Sequence, residues 1–267
     1  MVPADAVSAC RYNRRMGRCF IGTSGYVYKH WRGRFYPQAL PVRDWLPFYA
    51  QHFDTVELNN PFYRLPSKAV FSAWRQTVPP AFVFAVKASR YLTHLKRLKQ
   101  PSEPLRRFLT RAAALQTTLG PVLFQLPGQF HLDVDRLRRF LRVFGRQRYV
   151  PGLRAVLEVR HESWLVPEVF DLLTRANVAL CLQDWREAPV RAPVTADFVY
   201  IRRHGTTHRY GGSSSDTTLR ADARAIRVWL REGRDVYVYF NNDGNAHAVR
   251  NAQRLAYFLR RSHTKAA

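Results

Sequence analysis

Short apolar runs alternate with longer amphipathic stretches along most of the chain. Eight runs have the length and composition of buried strands: CFIGTSG (19–25), TVELN (55–59), FVFAVKA (82–88), PVLFQLP (121–127), AVLEVRH (155–161), ALCLQD (179–184), FVYIRRHG (198–205) and VYVYFNND (236–243). Apolar residues at helical spacing predict helices at 105–112, 134–144 and 248–259. Because strands that alternate with helices form parallel sheets, this pattern predicts an α/β fold, a single (β/α)8 TIM barrel.

The pattern indicates one domain. We expect the barrel to occupy residues 18–262, preceded by a basic, flexible tail at residues 1–17. The link WREAPVRAPVTAD carries two prolines and is expected to lack a full helix. An open, doubly wound sheet is the alternative, but the GxGxxG and GxxxxGK[ST] turns typical of phosphate sites in such sheets are missing from the sequence.

Polar residues share one face of the predicted strands. Barrel side chains alternate between the interior and the helix layer, and the helix-facing set must be apolar. In AVLEVRH that set is Ala155, Leu157 and Val159, which turns Glu158 and Arg160 inward. The same rule predicts a polar interior set: Glu57, Asn59, Lys87, Gln125, Glu158, Arg160, Asp184, Arg202, His204, Tyr239, Asn241 and Asp243.

This polar set occupies the C-terminal halves of its strands. All C-terminal ends of barrel strands meet at one mouth, where barrel enzymes have their active sites. Unpaired buried charges are costly, so these groups must pair, meet water or bind a ligand. The sequence therefore predicts a functional pocket at the mouth.

Loops at the same mouth are rich in rings and bases. The loops after the first, third and seventh runs contribute Tyr26, Tyr28, His30, Trp31, Arg90, Tyr91, His94, His208, Arg209 and Tyr210. Aromatic rings interleaved with basic side chains favour a substrate-binding rim for flat or anionic ligands. The alternative is that the rings close one end of the fold.

The charge of the chain narrows the class of partner. Lys and Arg number 43 against 19 Asp and Glu, a formal net charge of +24. Such a field attracts polyanions, so we expect an anionic substrate, such as DNA or RNA. No apolar run approaches the roughly 20 residues that span a bilayer, so we expect no membrane partner. Three scattered cysteines without a CxxC pair indicate a reducing cytoplasm.

The strand-end motifs resemble those of a known family. GTSGYVYKHWRGRFYP, FDTVELNNPFYRLPS, VKASRYLTHLKRLK, GPVLFQLP, EVRHESW and DVYVYFNNDGNAHAVRNA are similar to the domain of unknown function 72 family, the YecE-like proteins. This resemblance covers residues 19 to 259 and implies a TIM barrel, but no settled reaction. Tyr26 and Pro61 stand where Trp and Thr are frequent in the family, and neither change removes a charged pocket residue.

Acid–base chemistry has three candidates on neighbouring strands. Glu158 and Asp184 are the candidate general acid and base, with His204 beside them. For either acid the alternative is an ion pair with Arg160 or Arg202. A glycosidase mechanism would use the same two carboxylates.

Lys87 is the fourth candidate catalytic residue. An imine requires a lowered lysine pKa, and we expect nearby carboxylates to raise it instead. The sequence therefore favours Lys87 as a clamp for a phosphate or a leaving group, with Glu57 as a buried structural partner of Lys87 or of an arginine.

The cofactor stays unknown at this point. A divalent metal could draw on the acids and imidazoles His94, Glu158, His161, Asp184, His204, Asp243 and His247. The Arg, Lys and Asn residues of the same mouth disfavour a further cation, so a metal site is not favoured.

Two functions from different classes are consistent with these residues. The favoured one is an enzyme, a hydrolase or lyase, that acts on a phosphate-containing substrate such as a nucleic acid or nucleotide. The alternative is a non-catalytic nucleic-acid-binding barrel that uses the basic, aromatic rim, and a glycoside hydrolase is less favoured than either.

Overall fold

The computed structural model describes residues 16–184, 192–205 and 211–261. Most of the predicted tail and the residues His208, Arg209 and Tyr210 lie outside these ranges. The described chain contains nine strand segments: β1 (Cys19–Thr23), β2 (Thr55–Leu58), β3 (Val83–Lys87), β4 (Leu119–Gln125), β5 (Ala155–Glu158), β6 (Val178–Leu180), β7 (Leu182–Gln183), β8 (Phe198–Arg203) and β9 (Asp235–Phe240). Each predicted run overlaps one of them, except that the sixth run overlaps both β6 and β7.

Helices follow most of the strands. The described α-helices are α1 (Trp45–Ala50), α2 (Asn60–Tyr63), α3 (Lys68–Thr77), α4 (Ser102–Ala112), α5 (Val134–Gly145), α6 (Pro167–Arg175), α7 (Asp216–Arg231) and α8 (His247–Arg261). The three predicted helices are confirmed as α4, α5 and α8. The Asp133 carboxylate accepts a hydrogen bond from the Arg136 N–H at 3.0 Å, which caps α5. None of the helices in the described ranges is long and apolar enough to cross a membrane.

All strand pairs are parallel, and they form two sheets. The orders are β1-β9-β8-β7 and β2-β3-β4-β5-β6. Cys181 connects β6 to β7 and donates its N–H to the Leu157 carbonyl at 2.9 Å. On the other side, Ser24 and Glu57 form an isolated parallel bridge between the ends of β1 and β2. The predicted α/β fold with parallel strands is confirmed, with the ladder divided into sheets of four and five strands.

Buried apolar residues separate into two clusters, as strand alternation predicts. One cluster, which includes Phe20, Leu123, Tyr200 and Tyr237, draws on both sheets and lies on their shared inner side. The larger cluster contains the alternate strand residues and the apolar faces of the helices. The helix-facing assignment of Ala155, Leu157 and Val159 is confirmed by their place in the larger cluster. The two sheets therefore have one common interior.

Several strands end before the polar residues that were predicted within them. β5 ends at Glu158, so Arg160 lies in the following loop, and β9 ends at Phe240, so Asn241 and Asp243 lie beyond it. Alternation predicts which face of a strand a side chain occupies. The backbone pairing between strands ends where the apolar residues that drive it stop. The candidate site is therefore built half from strand ends and half from loops.

The fold makes a testable prediction at the junction between β1 and β2. A Cβ at Gly22 would lie 2.2 Å from the carbonyl oxygen of Thr55. We predict that Gly22→Ala lowers the free energy of unfolding, measured in urea, by about 1–3 kcal/mol because the strands must separate. Gly145→Ala is the control, since a Cβ there meets nothing within 4 Å. Equal stability of the two variants would contradict this close approach.

Candidate functional site

Two buried glutamates share one buried arginine at the strand ends. Arg202 Nη2 donates to Glu57 Oε1 at 2.9 Å and Nη1 donates to Glu158 Oε2 at 2.7 Å. All three side chains are at most 2% exposed. Arg202 belongs to β8 in one sheet, whereas the glutamates belong to β2 and β5 in the other. These ion pairs therefore join the two sheets from the inside.

The remaining carboxylate positions are also occupied. Four further donors serve the pair: Ser24 and Tyr200 (2.6 Å) at Glu57, and Arg160 and Gln125 (2.9 Å) at Glu158. Burial alone would raise the pKa of Glu158, but Arg160 and Arg202 outweigh it and hold that pKa well below its usual range. An ion pair with an arginine is an alternative role predicted from the sequence for Glu158 and for Glu57, and both ion pairs are confirmed. A carboxylate bound so firmly as an anion is poorly suited to exchange protons.

Lys87, the last residue of β3, is buried beside this network. Its side chain lies against the ring of Phe62, with Nζ 4.0 Å from the ring centroid. None of the residues in the described ranges forms a hydrogen bond or ion pair with Nζ. Burial, assisted by Arg202, lowers the pKa of Lys87 to about 7, against the smaller opposing effects of Glu158 and Glu57. The expectation of a raised pKa is therefore wrong: both glutamates do raise it, but burial and Arg202 outweigh them.

His204 and Asp184 form a group next to the network. The backbone N–H of His204 donates to Asp184 Oδ1 at 2.7 Å. The ring nitrogens of His204 lie 3.0 Å from Arg160 Nη2 and 3.3 Å from Asn241 Nδ2. Burial and Arg202 lower the pKa of His204 to about 3, so the ring is neutral at pH 7. Burial raises the pKa of Asp184.

A cavity of about 320 Å³ opens at the C-terminal ends of the strands. Seven predicted site residues line it: Tyr26, Tyr28, Asn59, Lys87, Arg202, Asn241 and Asp243. Glu158, Asp184 and His204 are not in its wall. The structure thus brings the amine, the amides and one carboxylate to the cavity, and places the three predicted acid–base groups behind or beside it.

Asp243 is the carboxylate of the cavity wall. Its backbone carbonyl accepts a hydrogen bond from Trp31 Nε1 at 2.9 Å, which fixes the loop after β9 against the loop after β1. Within the described ranges, the only ion-pair partner of its side chain is His30, at 3.6 Å. Burial raises the pKa of Asp243. This carboxyl group, unlike Glu158, is not held as an anion by an arginine in the described ranges, so it is the better placed of the two to exchange protons.

Two predicted substrate-binding rings are structural. Trp31 is 0% exposed and packs 4.7 Å from the Tyr28 ring. Tyr239 is also 0% exposed, with its hydroxyl 2.6 Å from Thr55 Oγ1. Their burial leaves no surface for a ligand, so the assignment of these two rings to substrate binding is wrong. For Trp31, a ring of the loop after β1, this burial agrees with the alternative interpretation, closure of one end of the fold.

The loop after β3 lies beside the cavity. Tyr91 is 49% exposed and Arg90 is also exposed, whereas His94 is half-buried against Phe62. Burial and Lys87 lower the pKa of His94 to about 4. Sequence reasoning missed Tyr63, which is 78% exposed and lines the cavity. The sequence feature that could have indicated Tyr63 is the polar, aromatic run NNPFY directly after β2, but this composition is also typical of an ordinary turn.

The side chains that could ligate a metal ion lie apart from one another in the described part of the chain. Over residues 16–184, 192–205 and 211–261, no three His, Cys, Asp or Glu side chains converge on a position that could hold a metal ion. The predicted set is divided: His247 starts α8, where it lies 3.0 Å from an Arg250 nitrogen, and the His161 ring centroid lies 3.9 Å from that of His131, with the rings tilted by 36°.

Comparison with known proteins finds relatives over most of the chain. The UPF0759 protein YecE of Escherichia coli is 34% identical over 82 residues, which cover 31% of this chain and 30% of YecE. The UPF0759 protein YunF of Bacillus subtilis is 27% identical, covering 84% of this chain and 89% of YunF. A crystal structure of a DUF72 family protein from Thermotoga maritima is 27% identical, with a TM-score of 0.79 over 91% of this chain and 99% of that chain.

More distant structures bear on the fold alone. A fusion protein with a xylose isomerase-like TIM barrel matches with a TM-score of 0.52 at 17% identity, over 92% of this chain and 42% of that chain. The fold is therefore α/β with TIM-barrel-like neighbours. The family model described as protein of unknown function DUF72 matches residues 20–267, so the chain belongs to the DUF72 family, as its strand-end motifs indicate.

Proposed function

We propose that this protein is an enzyme, a hydrolase or lyase, that acts on a phosphate-containing substrate such as a nucleotide or nucleic acid. The observation that carries the proposal is the buried amine of Lys87, which lines the cavity and has no hydrogen-bond or ion-pair partner in the described ranges. A buried amine without a counter-charge is costly. A substrate phosphate would supply the missing partner through a charge-assisted hydrogen bond.

The proposal includes a single closed (β/α)8 barrel over residues 18–262, with the cavity at its mouth. Cys181 and the Ser24–Glu57 bridge connect the two sheets at their two junctions, and Arg202 joins them across the interior. Barrel enzymes have their active sites at this end of the strands. The free thiols of Cys19 and Cys181 support a reducing cytoplasm as the location.

Within the cavity, Lys87 binds the phosphate and Asp243 exchanges protons. Asn59 orients the ligand: it donates to Ser24 Oγ at 2.9 Å, and its Oδ1 has no hydrogen-bond partner in the described part of the chain. Glu158, the acid favoured by the sequence, instead fixes Arg202. Asp184 and His204 support the loop beside the cavity.

Competitive acetylation tests the role of Lys87. We predict that the reactivity of Lys87 toward acetic anhydride rises as the pH passes about 7, since its amine loses its proton there. Inorganic phosphate, and a nucleoside monophosphate, should protect Lys87, because a bound anion covers the amine and favours its charged form. Peptide mass spectrometry measures both effects, with the exposed Lys68 as the internal control. If neither anion protects Lys87 more than Lys68, the phosphate site is rejected.

Glu158→Gln tests whether that residue is structural. We predict a loss of about 3–5 kcal/mol in the free energy of unfolding, because two buried arginines lose a counter-charge. The pKa of Glu158 is lower in the folded state than its ordinary value of 4.5. Its stabilisation is therefore complete above that pH and is lost as the pH falls. Glu103→Gln, which breaks an exposed pair with Arg106, is the control and should change little. Similar stability of both variants would refute the structural role.

A non-catalytic nucleic-acid-binding barrel is the second candidate, and one observation favours it. Tyr63 and Tyr91 are 78% and 49% exposed beside the cavity, with Arg64 and Arg90 next to them in sequence. Exposed rings and bases form stacking surfaces for single-stranded nucleic acid.

Ring removal tests this second candidate. We predict that the Tyr63→Ala and Tyr91→Ala variants each weaken binding of a single-stranded oligonucleotide by about 1–3 kcal/mol and leave phosphate protection of Lys87 intact. Tyr149→Ala, which removes a ring of 42% exposure on the loop before β5, is the matched control for fluorescence-anisotropy titrations. Unchanged affinity in both test variants would exclude stacking on this rim.

A further inference from the structure

We propose that Lys87 forms an imine with the carbonyl carbon of a phosphate-bearing aldehyde or ketone in the cavity. The proposal rests on the proposed function and specifies its substrate class, a sugar phosphate in its open, carbonyl form. Such a group occurs both in free aldose 3-phosphates, such as D-glyceraldehyde 3-phosphate, and at abasic sites of DNA. The shared chemistry is a carbonyl two carbons away from a phosphate ester.

The first support is the position of the amine. A lysine that forms an imine must be buried, must face a ligand-sized space, and must not be occupied by a carboxylate. Lys87 is 9% exposed and lines a cavity of about 320 Å³, which falls within the size range of ligand sites. The described ranges supply no carboxylate in contact with Nζ, and the Phe62 ring covers one side of it.

The second support is the arrangement of charges around the amine. The charged groups that act on Lys87 are Arg202, Glu158, Glu57 and Arg160. Both glutamates are bound to arginine, so neither is available to hold Lys87 as an ammonium ion. The lowered pKa of about 7 agrees with this geometry, since an appreciable share of the amine is neutral and nucleophilic at physiological pH.

The covalent step is balanced without a further reactant. The Nζ lone pair attacks the carbonyl carbon, a C–N bond forms, the C=O π bond breaks, and the oxygen takes a proton. The carbinolamine then loses water, which carries away both amine protons, and the C=N bond forms with no change of oxidation state. Asp243, on the same wall, is the proton-transfer group.

The imine also allows a lyase reaction, the elimination of the phosphate, in this cavity. A protonated imine withdraws electrons from the neighbouring carbon, so that the C–H bond there can break with the proton passing to Asp243. The electron pair forms a new C=C bond and the phosphate ester on the next carbon leaves with its C–O electrons. Water then hydrolyses the imine and regenerates the amine.

Reductive trapping tests the imine. The full chain is incubated with sodium cyanoborohydride and either D-glyceraldehyde 3-phosphate or a single-stranded oligonucleotide with one abasic site. We expect a stable adduct on Lys87 in at least one arm, located by peptide mass spectrometry. The arm that reacts faster identifies the source of the carbonyl group. Lys87→Arg, which keeps a cation but forms no imine, should lose the adduct, and Lys68→Arg should retain it.

The outcomes separate this inference from the proposed function. Peptide mapping on the unaltered protein locates the adduct even if Lys87→Arg does not fold. Absence of a Lys87 adduct in both arms, or adducts spread equally over exposed lysines, overturns the imine. If phosphate still protects Lys87 from acetylation in that case, the phosphate site stands and only the covalent step is rejected.

Discussion

The structure depends on the double ion pair of Arg202. Its guanidinium binds Glu57 and Glu158 at once, and the three groups are withdrawn from water at the point where both sheets end. Burying three charges is favourable only when their geometry and remaining hydrogen bonds are nearly complete. Ser24, Tyr200, Gln125 and Arg160 supply the further donors to the two carboxylates, while Arg202 Nε has no partner among the described residues. The network therefore fixes the relative position of β2, β5 and β8, and with it the shape of the cavity beside them.

This same network determines the chemistry available at the cavity. Because the arginines take up the negative charge of both glutamates, Lys87 is left buried without a neutralising partner. Its amine is then easier to deprotonate than an ordinary lysine.

Sequence patterns predicted the parallel α/β fold and the inner face of the strands, because alternation and helical spacing report directly on burial. They placed Lys87, Asn59, Asn241 and Asp243 at one mouth, and all four line the cavity. They could not show which acid pairs with which base, since that depends on distances between strands far apart in the chain. In the sequence, Glu158 and Asp243 are both acidic residues at predicted strand ends. In the structure, Glu158 is bound by two arginines, whereas Asp243 is not. Trp31 and Tyr63 were likewise indistinguishable as loop rings, although one is fully buried and the other is 78% exposed.

Lys87 and Asp243 on the cavity wall both have shifted pKa values. Burial raises the pKa of Asp243 and lowers that of Lys87, so the two values approach each other. An acid and a base whose proton affinities are brought closer can both take part in proton transfer during one reaction. A binding protein needs only a lasting charge on its lysine, for which an exposed position is sufficient and a buried one is costly. The burial of Lys87 therefore supports the proposed reaction more than attraction of a polyanion, because the proposed imine step uses the neutral form of its amine.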